Sequence, residues 1–99
     1  MYEGKKCVVR CKGAGVFFAT IKEFAPETGV AVLQNARRLW YWQGASDCLQ
    51  IAQEGVKAPR QCKFTITVPE LCVTNVLEVT PCTDEAVKIL TEVSEWKSR

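Results

Sequence analysis

The chain has no histidine, and its six cysteines include no Cys-x-x-Cys pair. The first absence removes the commonest general base, the imidazole of any Ser or Cys triad, and every histidine-containing metal site. The second removes zinc-ribbon spacing, so no metal and no cofactor is expected. No serine sits in a Gly-x-Ser-x-Gly elbow, and no acidic pair has the spacing that separates a general acid from a general base. A binding protein is therefore expected rather than an enzyme. No apolar run approaches the roughly 18 residues of a membrane-spanning helix. Charge of one sign is also scarce: 13 Lys and Arg against 11 Asp and Glu leave +2, too little for a general DNA-coating protein and the wrong sign for an acidic DNA mimic. Any polyanion contact must be local.

The polar stretch Met1 to Lys6 offers no apolar export core, so a cytoplasmic, reducing location is expected and the cysteines are read as free thiols. Cys7, Val9 and Cys11 would share one strand face, where a thiol packs as a small hydrophobe. With 47% hydrophobic and 24% charged residues, the 99-residue chain has an ordinary globular mixture, and residues 1–99 fit a single domain.

Alternation and turn residues set the order of elements. Strands are expected at 6–12 and 16–22 around Gly13-Ala14-Gly15, at 30–34 after Pro26-Glu27-Thr28-Gly29, and at 37–42 after a break near Asn35. A short helix follows, capped by Ser46 and ended by Gly55; then come strands at 63–68, closed by Pro69, and at 72–80, and a second helix capped by Thr83. The expected fold is α+β: a small antiparallel sheet or partly open barrel of about six strands with two short helices.

The richest chemistry lies in Asn35-Ala36-Arg37-Arg38-Leu39-Trp40-Tyr41-Trp42-Gln43-Gly44. Guanidinium groups grip phosphate or carboxylate, and indole faces stack on flat rings, so the composition suits an anionic, ring-bearing ligand. Strand alternation puts Arg38, Trp40 and Trp42 on one face and Arg37, Leu39 and Tyr41 on the other. Arg38 is the first candidate and Arg37 the second, with Trp40, Trp42 and Asn35 beside them. Phe64 and Asn75, on the later strands, are further candidate contacts. Any half-buried strand also alternates in this way, so a packing role for the segment stays open. Gly13-Ala14-Gly15 lacks the Gly-Lys-Ser/Thr of a P-loop and reads as a hairpin turn. Trp96, Lys97 and Arg99 repeat the aromatic and cationic theme near the end of the second helix.

The stretches Asn35 to Ala45 and Val79-Thr80-Pro81-Cys82-Thr83, with Glu95-Trp96-Lys97, resemble those of a family of small bacteriophage-encoded proteins, and the similarity runs through most of the chain. The order of strands and helices is similar to that of phage anti-Thoeris sponges, which assemble into oligomers and sequester cyclic ADP-ribose-type signals. That resemblance implies binding without turnover, with arginines on the phosphates and aromatics against the base; Arg37, Arg38, Trp40 and Phe64 are the matching residue types. The leading expectation is a phage counter-defence protein that captures a nucleotide-derived immune signal, working as a homo-oligomer. The alternative is a protein-binding inhibitor or host-takeover factor using the Trp-Tyr-Trp surface. Single-stranded nucleic acid is the least favoured partner because the basic surface is sparse.

Overall fold

The computed structural model of the chain describes residues 2–98. Lys6–Cys11 (β1) and Gly15–Ala25 (β2) form the expected hairpin, with Val9 opposite Phe17. Val30–Tyr41 (β3) runs unbroken where the pattern predicts two strands. The expected break at Asn35 is a bulge: Phe18 pairs with Arg37 and Thr20 with Gln34, so Asn35 and Ala36 lie opposite Ala19 alone. Asn35 absorbs the extra residue at φ 50, a left-handed conformation that asparagine tolerates better than most side chains.

Two further expectations are corrected. The strand predicted over 72–80 is interrupted by a turn at Thr74 and Asn75, with Asn75 at φ 58, which separates Val68–Val73 (β5) from Val76–Pro81 (β6). Pro69 does not close a strand but lies within β5, which among the described residues pairs with β3 only. An edge strand tolerates a missing N–H. Of the predicted 63–68 strand, only Lys63–Phe64 (β4) and the first residue of β5 are extended in the sheet.

Cys48–Glu54 (α1) is capped by Asp47 rather than Ser46; the Asp47 carboxylate accepts from the N–H groups of Leu49 and Gln50 at 3.0 and 3.1 Å. Asp84–Glu92 (α2) starts as expected, with the Thr83 hydroxyl accepting from Ala86 N–H at 3.1 Å. The same hydroxyl donates to Gln53 O at 2.7 Å and ties α2 to α1. No helix among the described residues is long and apolar enough to cross a membrane.

The six antiparallel strands form one open sheet in the order β4-β3-β2-β1-β6, with β5 following β4 along the same edge of β3. Laid flat, the sheet would hold β5 and β6 about 19 Å apart, four strand spacings. The two residues joining them span about 11 Å at most. The sheet must therefore curl, and its ends are held by Val76 N–H donating to Gly29 O and Lys12 N–H to Asn75 O, both at 2.9 Å. Curling gives β1, β2 and β3 two apolar faces. Cys7, Val9, Cys11, Phe17, Ala19, Ile21, Ala31 and Leu33 fill the inner core, whereas Val8, Phe18, Leu39 and Phe64 pack against Ile51, Ala52, Ala86 and Leu90 of the helices.

Burial raises the Cys7 thiol to about 11 and the Cys82 thiol to about 12, which suits packing rather than nucleophilic chemistry. A tight backbone crossing fixes the loop into α1. Gly44 has φ 87, and a Cβ there would stand 2.5 Å from the backbone nitrogens of Lys57 and Ala58. Gly44→Ala is expected to lower stability by about 2 kcal/mol or more, read by chemical denaturation, since both the conformation and the space are denied to a side chain.

Candidate functional site

The Asn35 bulge decides which face each of the next residues occupies. Before it, Ala31 and Leu33 point into the inner core; after it Ala36 does, and Arg37 and Leu39 turn toward the helices. Adjacent arginines thus end in opposite environments.

Arg37 is buried, 5% exposed. Its Nε donates to Thr65 O at 3.2 Å, and its Nη1 to Leu90 O and Val93 O at 3.2 and 2.8 Å. The guanidinium lies over the Phe64 ring, 5.2 Å from its centroid. Burial lowers its pKa from the usual arginine value, and the charge of Glu95 opposes that shift. This arginine closes the C-terminal end of α2 by supplying donors to carbonyls that have no partner within the helix. It is not open to a ligand on the Trp40 face. Phe64, fully buried beneath it, is likewise a core residue rather than a contact surface.

Arg38 is exposed on the other face. Its Nε donates to Ala14 O at 3.0 Å, and its guanidinium sits 5.0 Å from the centroid of Phe17. The Gly13-Ala14-Gly15 turn therefore offers a carbonyl to an arginine here. Arg38, Phe17, Thr65, Ile66, Val68 and Leu71 line a shallow cavity of about 230 Å³. Thr65 is locked in place by accepting from Arg38 N–H at 2.8 Å.

Trp40 is 57% exposed, yet its ring is stacked on that of Trp96, with centroids 4.8 Å apart and planes inclined by 26°. Lys63 Nζ lies 5.5 Å from the Trp40 centroid and 5.6 Å from that of Trp96. Two backbone features bring the three together. Tyr41 pairs with Lys63 across β3 and β4, and after α2 the chain returns beside β4, where Trp96 N–H donates to Phe64 O at 2.8 Å. Both indoles remain half exposed, a large apolar surface to leave in water unless something covers it.

The remaining candidates are dispersed. Trp42 follows the end of β3 at Tyr41 and, half-buried, packs against the helix-side core, and the cavity at Arg38 does not include Trp40. Asn75 lies in the β5–β6 turn and uses its carbonyl on Lys12, apart from Arg38 and Trp40. Asn35 is exposed at the bulge and shares a small cavity with Arg37. Lys97 pairs with Glu95 at 3.7 Å, and Arg99 lies outside the described residues. The site also includes Lys63 and Thr65, which the sequence pattern marks only as strand residues; their pairing with β3 is a tertiary feature. A larger void of about 480 Å³, lined by Arg60, Cys62, Ile89 and Glu92, holds none of the predicted residues.

A family model described as "Domain of unknown function (DUF6948)" matches residues 4–90. The chain belongs to that family. No curated protein and no solved structure matches it. The family match stops short of Trp96, so the platform combines residues from inside and outside the matched region.

Proposed function

We propose that this DUF6948 chain is a binding protein that takes up a nucleotide-derived ligand on the Trp40–Trp96 platform, without turnover. The observation that carries this reading is a stacked indole pair, half exposed, with an ammonium 5.5 and 5.6 Å from its two rings. A base stacks on an indole whatever its substituents, while Lys63 and Arg38 supply cations for the phosphates. The chain has no histidine, so a ligand held on the platform meets no imidazole that could act as general base.

The cavity beside Arg38 is shallow, so a single copy covers only part of such a ligand. A second copy over the platform would deepen the site and explain exposed Trp40 and Trp96, which supports a homo-oligomer. The resemblance of Asn35 to Ala45 to phage-encoded proteins extends the reading to capture of a host immune signal in the bacterial cytoplasm. Capture then works by stoichiometry, and affinity alone is needed.

A thermal-shift screen against linear and cyclic nucleotides tests this. A true ligand at 100 times its dissociation constant should stabilise the fold by roughly 2.7 kcal/mol. Arg38→Ala should reduce that shift while leaving the unliganded midpoint nearly unchanged, because the side chain is exposed and its one hydrogen bond among the described residues is to Ala14 O. One observation favours a second reading, in which the partner is a protein: Ile66 and Tyr41, 44% and 41% exposed, add apolar surface near Arg38 and Trp40. Tryptophan, tyrosine and arginine are the usual energetic centres of protein interfaces. Loss of every nucleotide shift would favour that reading.

A further inference from the structure

Arg38 is a cation held in place without a counter-charge. Its Nε is committed to Ala14 O and its guanidinium lies against the Phe17 ring, so β2 and the hairpin turn before it fix the direction of the side chain. Among the described residues no carboxylate pairs with it, whereas Arg10 on β1 and Lys22 on β2 pair with Glu78 and Glu70 at 2.8 and 3.0 Å. Its two Nη groups make no hydrogen bond among the described residues and keep their donors for a group from outside the chain.

The cavity beside this guanidinium is otherwise apolar. Phe17 and Ala36, both buried, lie deepest; half-buried Val68 and Leu71 of β5 form a wall, and exposed Ile66 stands at the mouth with Arg38. Thr65 is the other polar residue of the lining, but its hydroxyl is already used, accepting from Arg38 N–H at 2.8 Å and donating to Ile66 O at 3.1 Å. The polar edge of a base or sugar would find almost no partner in this space. At about 230 Å³ the cavity is smaller than the roughly 300 Å³ of a site that encloses a whole ligand, so it takes one ring or one branched side chain. The Nη1 and Nη2 edge at its mouth matches the two oxygens of a carboxylate.

We propose that Arg38 and the cavity beside it bind a carboxylate carried on a compact apolar group, aromatic or branched, with the charge on the guanidinium and the apolar group against Phe17, Val68 and Leu71. Trp40 is no part of this cavity, so the site stands whether or not the indole platform takes a nucleotide. A phosphate held by Arg38 would compete with the acid. A free carboxylic acid and the C-terminal residue of a peptide present the same chemistry.

The test follows the Ile66 and Leu71 methyl signals and the Arg38 guanidinium signals of the full chain by NMR as sodium phenylacetate is added, with sodium chloride holding the ionic strength constant. A second arm uses N-acetyl-Gly-Gly-Phe, whose last residue carries the same ring beside a carboxylate. Saturable shifts are expected. 2-Phenylethanol, which keeps the ring without the charge, should bind about tenfold more weakly, and so should sodium acetate, which keeps the charge without the ring. Arg38→Ala should weaken binding of the acid about tenfold, and Ile66→Asp, which sets a carboxylate at the mouth of the cavity from an exposed position, should abolish it. Trp40→Ala should leave the acid's affinity unchanged while removing the stacking surface for a nucleotide, which separates failure of this site from failure of the platform. Tighter binding of phenylacetate assigns a small acid, and tighter binding of the peptide assigns a C-terminus. Methyl signals unmoved by either, an affinity that survives Arg38→Ala, or 2-phenylethanol binding as tightly as the acid would overturn the site.

Discussion

Arg37→Ala is expected to lower folding stability by about 3 kcal/mol, whereas Arg38→Ala, one residue along, should stay within about 1 kcal/mol. The truncation at Arg37 removes the donors to Thr65 O, Leu90 O and Val93 O together, in a site that is 5% exposed. Orphaned buried acceptors cost more than a hydrogen bond ordinarily contributes, and the vacated space over Phe64 adds a packing loss. For a domain of about 100 residues the melting midpoint should fall by roughly 12–24 °C. Arg37→Lys should be nearly as damaging, because one ammonium cannot reproduce a planar fork that reaches three carbonyls. Urea denaturation of the three variants reads this directly. An Arg37→Ala variant as stable as the parent would show that the α2 end is held by something else.

Phe64→Ala carries the other large effect, a loss of about 3–5 kcal/mol. The ring is fully buried among Leu39, Ile51 and Leu90, on the shortest strand of the sheet. With only Lys63 and Phe64 in β4, backbone pairing amounts to Leu39 and Tyr41 on one side and a single bridge from Phe64 to Glu95 on the other, so side-chain burial holds the strand in register. Its backbone also receives Trp96 N–H, and loosening β4 should free the returning tail and unstack Trp96 from Trp40. The near-ultraviolet circular dichroism of the indole pair would weaken along with stability. Because Phe64 and Arg37 touch, the double variant should lose less than the sum of the single losses. Strict additivity would mean that the guanidinium over the ring contributes nothing.

Much of the fold was legible because its devices are local. The glycines of residues 13–15, the alternation in β1 and β2, and Thr83 before an amphipathic run each act within a few residues. What escaped depends on distant partners. Asn35 reads as a strand break, yet pairing with β2 and β5 carries the chain through it as a bulge. Asn75 reads as one more strand residue, yet the curl of the sheet requires a reversal there. The two faces of Arg37 and Arg38 follow from period two alone, but which face would be dry follows from where α2 packs. Alternation predicts Trp42 on the Arg38 face, but β3 ends at Tyr41, one residue before it. The union of Trp40 with Lys63 and Trp96 has no local mark, since two of the three arrive from residues far along the chain.

The platform can be tested in one measurement because the chain has 3 tryptophans and they occupy two environments. In an amide and indole NMR spectrum, a nucleotide selected by the thermal screen should shift the indole N–H signals of Trp40 and Trp96. The signal of Trp42, half-buried against the helix-side core, should stay in place. Movement of Trp42 alone, or of no indole at all while the nucleotide binds elsewhere, would contradict the account.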